Sequence, residues 1–299
     1  MSILLVGAEG QVGKELQKTL PRLEGIFGPI VAVGRSQLDL SDLDAITAKV
    51  ANIQPQLIVN AAAYTAVDKA ESEPSVAHLI NAQAPEALAK AAANCGAALI
   101  HISTDYVFSG QEPSPRSETD EVGPLSVYGK TKLAGEEAIR AVLDRHIILR
   151  TAWVYGVYGK GNFVKTMLRL AKNRSELSVV ADQVGSPTWA KDIAETLIEL
   201  AKKLSEDPQQ YSGTYHFTNS GTASWHEFAN AVFEEGKALG ESLQVETVHP
   251  ITTEEYPTPA KRPPYSVLDC QKITDCLGQA APHWRTSLQQ MLKQYLAPQ

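Results

Sequence analysis

The stretch Ile3-Leu4-Leu5-Val6-Gly7-Ala8-Glu9-Gly10-Gln11-Val12-Gly13 decides the fold of this chain. Its first four residues form an unbroken apolar run, the mark of a strand covered on both faces. Gly7, Gly10 and Gly13 follow at once, and an amphipathic stretch over 11–20 comes next. Strand, glycine turn and helix in that order are the context in which such glycines bind a dinucleotide. Glycine lets the backbone approach a pyrophosphate, and the helix N-terminus offers N–H donors and a partial positive charge. Gln11 and Val12 lie inside this turn. The alternative is a plain glycine-bearing strand–helix connection.

The same alternation continues outward. Strands are expected at 30–33, 57–60, 97–103 and 147–150, each a short apolar run. Helices are expected between them. Ser41, with Asp44 three residues on, reads as the N-cap and first-turn acid of a helix over 42–51. A helix over 74–93 contains Pro85, read as a kink or break, and Gly96 ends it. Repeated βαβ units predict an α/β fold with a doubly wound, Rossmann-like parallel sheet. After Arg150 the pattern loosens. Helices are expected at 163–171, 191–204, 224–238 and 284–296, a strand at 214–217, and an extended proline-rich loop at 252–264. This predicts a dinucleotide-binding domain over 1–153, joined by later segments that return to it. A smaller mixed α/β substrate domain over 154–299 lies across the carboxyl edge of the sheet, where open α/β sheets bind ligands.

A net charge of −7 argues against a nucleic-acid surface and gives no attraction to membranes. No apolar run reaches the ~20 residues of a spanning helix. Met1-Ser2 runs directly into the first strand, which leaves no room for a signal peptide. The three cysteines, Cys95, Cys270 and Cys276, are odd in number and scattered, which suits a reducing, cytoplasmic setting. The histidines show no ligand spacing, and His101 reads as a packed strand residue.

Chemistry concentrates at strand ends. After the second strand comes Val33-Gly34-Arg35-Ser36, where an acid would hold a ribose 2′-hydroxyl. Arg35 and Ser36 instead suit a 2′-phosphate, or Arg35 is simply an exposed loop residue. Asp39 and Leu40 follow, within reach of an adenine or forming a turn before Ser41. The third strand ends in Asn60-Ala61-Ala62-Ala63-Tyr64-Thr65, whose small side chains permit close approach by a ligand or tight helix–sheet packing. Thr104 follows the fourth strand directly, placed to hydrogen-bond a substrate oxygen or to cap a turn. Tyr128 and Lys132 stand four apart, on one face of a helix. A phenol and an ammonium so placed can hold a proton beside a carbonyl. Trp153 follows the fifth strand and either packs on a sugar or base or plugs the domain junction. Asn162, Arg262 and Ser266 are polar residues of expected loops, each able to contact a diphosphate or sugar.

Together these residues resemble the extended short-chain dehydrogenase/reductase superfamily, and more narrowly the dTDP-4-dehydrorhamnose reductase family. The resemblance rests on Gly7 to Gly13, Asn60 to Thr65, Val67 to Glu71, Ser103 to Gly110, Tyr128 to Lys132, Arg150 to Tyr155 and Arg262 to Leu268. It covers nearly the whole chain. The glycine turn and the Tyr/Lys pair identify only the superfamily, whereas Ser-Thr-Asp-Tyr-Val-Phe and the Trp153 segment are more specific. The resemblance implies hydride transfer from NADPH, with NADH also accepted, to the C4 ketone of dTDP-4-dehydro-β-L-rhamnose, giving dTDP-β-L-rhamnose. It implies Tyr128 as proton donor, Lys132 on the nicotinamide ribose, Thr104 on the C4 oxygen, and Asp105 and Trp153 lining the sugar site.

Three other readings compete. A 4,6-dehydratase of this fold carries an Asp-Glu pair after its threonine, whereas Asp105 here is followed by Tyr106. A 4-epimerase, or another 4-keto-sugar reductase, uses the same Tyr/Lys/Thr chemistry, with Arg35 counting against the epimerase. A non-enzymatic NAD(P)-binding regulator commonly lacks the Tyr or the Lys, and both are present. Some members of the resembled family dimerise around Mg²⁺ held by acidic side chains. Here the aligned position is Lys191, or Asp192 with a one-residue shift, and 284–296 holds no acid. No metal is expected, and the chain is expected to be a monomer or weak homodimer.

Overall fold

The computed structural model describes residues 2–297. Met1, on which the expected absence of a leader partly rested, lies outside the described residues, as do the last two positions of the expected second domain.

Six parallel strands form the central sheet. They are β1 (Ile3–Val6), β2 (Ile30–Val33), β3 (Leu57–Asn60), β4 (Ala98–Thr104), β5 (His146–Thr151) and β6 (Gly213–His216). Their spatial order is β6-β5-β4-β3-β1-β2, and Ile3 pairs with both Ile30 and Leu57. The doubly wound parallel sheet expected from the sequence is therefore present. Its order reverses between β1 and β3, the crevice where such sheets bind ligands.

The helices of nine residues or more are α1 (Gln11–Thr19), α2 (Leu43–Ile53), α3 (Ala84–Cys95), α4 (Val127–Val142), α5 (Phe163–Ala171), α6 (Ala190–Glu206), α7 (Trp225–Ala238) and α8 (Trp284–Leu296). Alternate residues of the strands face opposite layers. Ile3, Leu5, Leu57 and Val59 pack with Leu16 of α1 and Ile193, Leu197 and Leu200 of α6. Leu4, Val6, Ile58 and Leu99 pack with Ile46, Leu88 and Ile139 from α2, α3 and α4. Thus α6 and β6, late in the chain, return to the sheet. A separate core gathers Tyr155, Leu168, Trp189, Phe228, Val232, Trp284 and Leu288 around α5, α7 and α8.

Several local expectations are corrected. Asp42, not Ser41, caps α2, accepting from the Ala45 N–H at 2.9 Å. Asp39 takes Ser41 first, through its N–H at 3.0 Å and its hydroxyl at 2.9 Å, so Ser41 closes a turn instead. Pro85 stands beside a break in the expected 74–93 helix and not within a continuous one. It sits in the first turn of α3, where its missing N–H costs nothing. The irregularity falls just before it, in a π-helical turn at Leu79–Gln83. A parallel pair of Glu176–Val180 with Thr247–Ile251 and a helix at Gln271–Leu277 were not anticipated. Proline at 250 and exposure along Thr247–Ile251 blur its strand pattern. No helix among the described residues is long and apolar enough to cross a membrane.

Candidate active site

The turn after β1 is built for close approach. Gly7 has φ +83°, a conformation costly for any residue with a side chain. A Cβ on Gly13 would lie 2.1 Å from the Gly7 carbonyl oxygen, so only glycine lets α1 start against its own turn. Gly7 and Ala8 both donate to the Val33 carbonyl, tying the turn to the end of β2. No side chain caps α1 and no acid stands in its first turn. Its N–H groups and dipole therefore favour an anion.

Across the reversal in strand order, β4 and α4 bring together Thr104, Tyr128 and Lys132. Ser126 caps α4 by accepting from the Gly129 N–H at 3.1 Å. Gly129 lets the helix settle on the turn after β4, since a Cβ there would fall 2.2 Å from the Tyr106 carbonyl oxygen. Glu71 accepts from the Val127 N–H at 2.8 Å, and the Tyr106 ring meets Tyr128 edge-on at 5.4 Å. The Tyr128 side chain is thereby aimed toward Thr104. Burial pushes its phenol up to about 12, an effect Thr104 reduces and Asp105 adds to. At neutral pH the phenol keeps its proton.

Thr104 donates to Asp105 Oδ1 at 2.9 Å. The second oxygen of Asp105 and the Ser266 hydroxyl are both buried and lack hydrogen-bond partners. Burial pushes the Asp105 carboxyl up to about 6, although Ser266 lies near enough to favour its charge.

Lys132 is 1% exposed. Its Nζ lies 2.7 Å from the Ile102 carbonyl oxygen and 3.0 Å from His101 Nε2. His101 Nδ1 in turn lies 3.0 Å from Asn60 Nδ2. Burial brings Lys132 down to about 8, while the Glu136 carboxylate acts to raise it. Burial and Lys132 hold His101 well below its usual value. One turn further along α4, Glu136 takes Arg150 at 2.7 Å and Ser103 at 2.5 Å. These bonds hold its carboxyl below the usual range despite burial.

The remaining sequence-selected residues divide into two groups. Arg35 and Ser36 are exposed at the end of β2, next to the glycine turn, with Arg35 Nε 3.8 Å from Asp39 Oδ2. Leu40 is buried in the α2 layer and Val12 in the α1 layer. Ala62 borders Gly7, and Ala63 and Thr65 follow it toward the surface. The Tyr64 hydroxyl donates to Glu73 at 2.7 Å.

In the second half, Trp153 has φ +48° and stacks on Trp225 at 3.5 Å between ring centres. Asn162 caps α5 through Oδ1, and its Nδ2 donates to Gln11 Oε1 at 2.7 Å. It thus ties the 156–162 loop to the start of α1. Arg262 forks onto Asp68 at 2.8 and 3.1 Å. Its guanidinium holds that carboxyl down.

Sequence reasoning did not single out Asn81, whose amide joins Tyr64 to Thr131. Nor did it assign a bond to His101. An isolated Asn in a helix and a His in a strand carry no spacing signal.

The chain matches the RmlD substrate binding domain family over residues 1–297. The dTDP-4-dehydrorhamnose reductase of Escherichia coli strain K12 is 46% identical over 295 residues, covering 98% of each chain. A crystal structure of a Clostridium acetobutylicum dTDP-4-dehydrorhamnose reductase superposes with a TM-score of 0.89 at 39% identity, covering 99% of this chain and 100% of that one. The Bacillus anthracis dTDP-4-dehydrorhamnose reductase, solved in complex with NADP, gives 0.88 at 38% identity over 98% and 99% of the two chains. With the doubly wound sheet, the glycine turn and the Tyr128–Lys132 face in one molecule, the chain belongs to the dTDP-4-dehydrorhamnose reductase family.

Proposed function

We infer that this protein reduces the C4 ketone of dTDP-4-dehydro-β-L-rhamnose to dTDP-β-L-rhamnose at the expense of NADPH, in dTDP-rhamnose biosynthesis. The observation that carries the reading is the convergence of Thr104, Tyr128 and Lys132 at the carboxyl edge of the sheet, beside the Gly7–Gly13 turn.

The chain fits the cofactor. The cradle that a Cβ on Gly13 would fill, and the uncapped, acid-free start of α1, suit a pyrophosphate. Arg35 and Ser36 suit a 2′-phosphate, and Asp39, Leu40 and the segment from Ala62 to Thr65 are assigned to the adenosine side. When bound, the reduced nicotinamide supplies the hydride to the carbonyl carbon. Tyr128 holds the proton that the resulting alkoxide takes. Thr104, turning its single hydroxyl proton from Asp105, donates to the same oxygen. Lys132 binds the nicotinamide ribose, and its ammonium lowers the cost of the phenolate left on Tyr128. Asp105, Trp153, Asn162 and Arg262 line or position the sugar-nucleotide side.

On this reading residues 1–153 chiefly bind the dinucleotide and 154–299 chiefly the substrate. The enzyme acts in the cytoplasm as a monomer or weak homodimer. The test follows NADPH absorbance on adding dTDP-4-dehydro-β-L-rhamnose, beside UDP- and GDP-4-keto sugars. Wild type consumes NADPH with the dTDP sugar, and Tyr128→Phe lowers turnover by about 10²–10⁴-fold with NADPH affinity nearly unchanged. Wild-type inactivity, or a Tyr128→Phe rate within a few-fold of wild type, would refute the reading.

A further inference from the structure

The hydrogen bonds behind Lys132 have a polarity that can be read from one end. The Ala62 backbone N–H donates to Asn60 Oδ1 at 3.1 Å. A backbone N–H can only donate, so this oxygen must face it, and the Asn60 amide orientation follows. Asn60 Nδ2 then presents a donor to His101 Nδ1 at 3.0 Å. An imidazole that accepts at Nδ1 carries its proton on Nε2 when neutral. Nε2 stands 3.0 Å from Lys132 Nζ, which itself donates to the Ile102 carbonyl at 2.7 Å. Every bond is satisfied only if Nε2–H donates to a lone pair on Nζ, and an ammonium has none. An ammonium donating to Nε2 would place the proton on Nδ1, facing the Asn60 amide protons at 3.0 Å.

We propose that His101 is a positioning residue for Lys132: held in its Nε2–H form by Asn60, it donates to the lysine nitrogen and favours the amine over the ammonium. This rests on the reading of Lys132 as the cation that turnover needs.

The other groups around the pair are accounted for. Glu136 of α4 acts on Lys132, but its oxygens are held by Arg150 of β5, Ser103 of β4 and Arg140 of α4. From β6, His216 faces Arg150 at 3.4 Å, and burial keeps its ring neutral down to about 3. Tyr128 lies on the same helix as Lys132, and Asp105 follows β4. His101 is fully buried and stays neutral through the working range. Charging Lys132 therefore means breaking its bond to His101, and activity that needs the ammonium falls off at lower pH than an ordinary lysine would give.

Long-range ¹H–¹⁵N correlation NMR on the ¹⁵N-labelled, cofactor-free protein reads the tautomer directly. The His101 signals are assigned by their loss in His101→Phe, or in His101→Gln should the first fail to fold. The expected result is Nε2–H in wild type, and an Nδ1–H ring or an imidazolium would overturn the proposal. Asn60→Asp offers only acceptors, so it should switch the ring to Nδ1–H; an unchanged tautomer would overturn the part given to Asn60. In kcat/KM against pH, His101→Phe should move the alkaline limb up by about one unit, because the neutral amine loses its donor. A limb that stays in place would reduce His101 to packing. Absence of any wild-type turnover would count against the reductase reading alone, since the tautomer is read without it.

Discussion

At the scale of single residues, burial sets the chemistry. Tyr128 keeps its proton because a phenolate would be poorly solvated there. Asp105 shows what such burial costs. Its folded value of about 6 stands above the ordinary 3.8, so the cost is absent below 3.8 and complete above 6. A gap of that size corresponds to about 3 kcal/mol. Asp105→Asn should therefore raise Tm at pH 8 and lose that advantage below pH 4, while impairing turnover if Asp105 serves the sugar site. Thermal melts at the two pH values, with assays alongside, check both halves. Arg35 lies at the opposite extreme, its side chain 80% exposed. NADPH is expected to be preferred over NADH with both accepted. Arg35→Ala should lower kcat/KM for NADPH by about tenfold or more, the worth of a charged hydrogen bond, and leave NADH nearly unaffected. A wild-type preference for NADH, or equal effects on both cofactors, would contradict it.

At the scale of elements, α4 holds the proposed chemistry in place from several sides. Ser126 caps it, Gly129 lets it touch the turn after β4, and Glu136 anchors it to β5 through Arg150. Glu136 and Arg150 are both buried. Removing one partner of such a pair strands the other charge, at a cost of about 3–5 kcal/mol. Glu136→Gln should therefore lose stability of that order in urea denaturation at pH 7. The Glu136 carboxyl is held below its ordinary 4.5. Its contribution is thus complete above 4.5 and disappears as pH falls through the lower, folded value. The difference between wild type and variant should accordingly narrow under acid conditions, and a constant difference would mean the ion pair is not its source. The Tyr–Lys spacing was legible as one helical face, but the anchor was not, because Glu136 and Arg150 meet only once α4 lies on β5.

At the scale of the whole molecule, the later half of the chain is tied to the earlier half beside the proposed site. Asn162 reaches Gln11, and Arg262 reaches Asp68, across 151 and 194 positions of sequence. Beside Lys191, which aligns with the acidic position of the resembled family, Asp192 accepts from Asn219 at 2.7 Å and from Ser287 at 2.6 Å, both on Oδ2, and Lys191 lies over the Trp189 ring. A hard cation wants several carboxylate oxygens together and is repelled by an ammonium such as that of Lys191. Turnover is therefore expected to survive EDTA, and light scattering to give the same mass, that of a monomer or weak dimer, with and without it. A dimer that dissociates and loses activity on chelation would contradict this.

The alternation of apolar runs and glycine turns was enough by itself to determine the parallel sheet, its strand positions and the Tyr128–Lys132 face, since strand burial and helical spacing are local patterns. The cap of α2 went to Asp42 because Asp39 competes for Ser41, a choice made by geometry among neighbours that all have cap chemistry. Only the tertiary structure decided the reversal between β1 and β3, the closing of Asn162 and Arg262 on the first half, and the chain from Ala62 through Asn60 and His101 to Lys132. These depend on which residues of β3, β4 and α4 come within 3 Å of one another, and hydrogen-bond polarity has no meaning until they do.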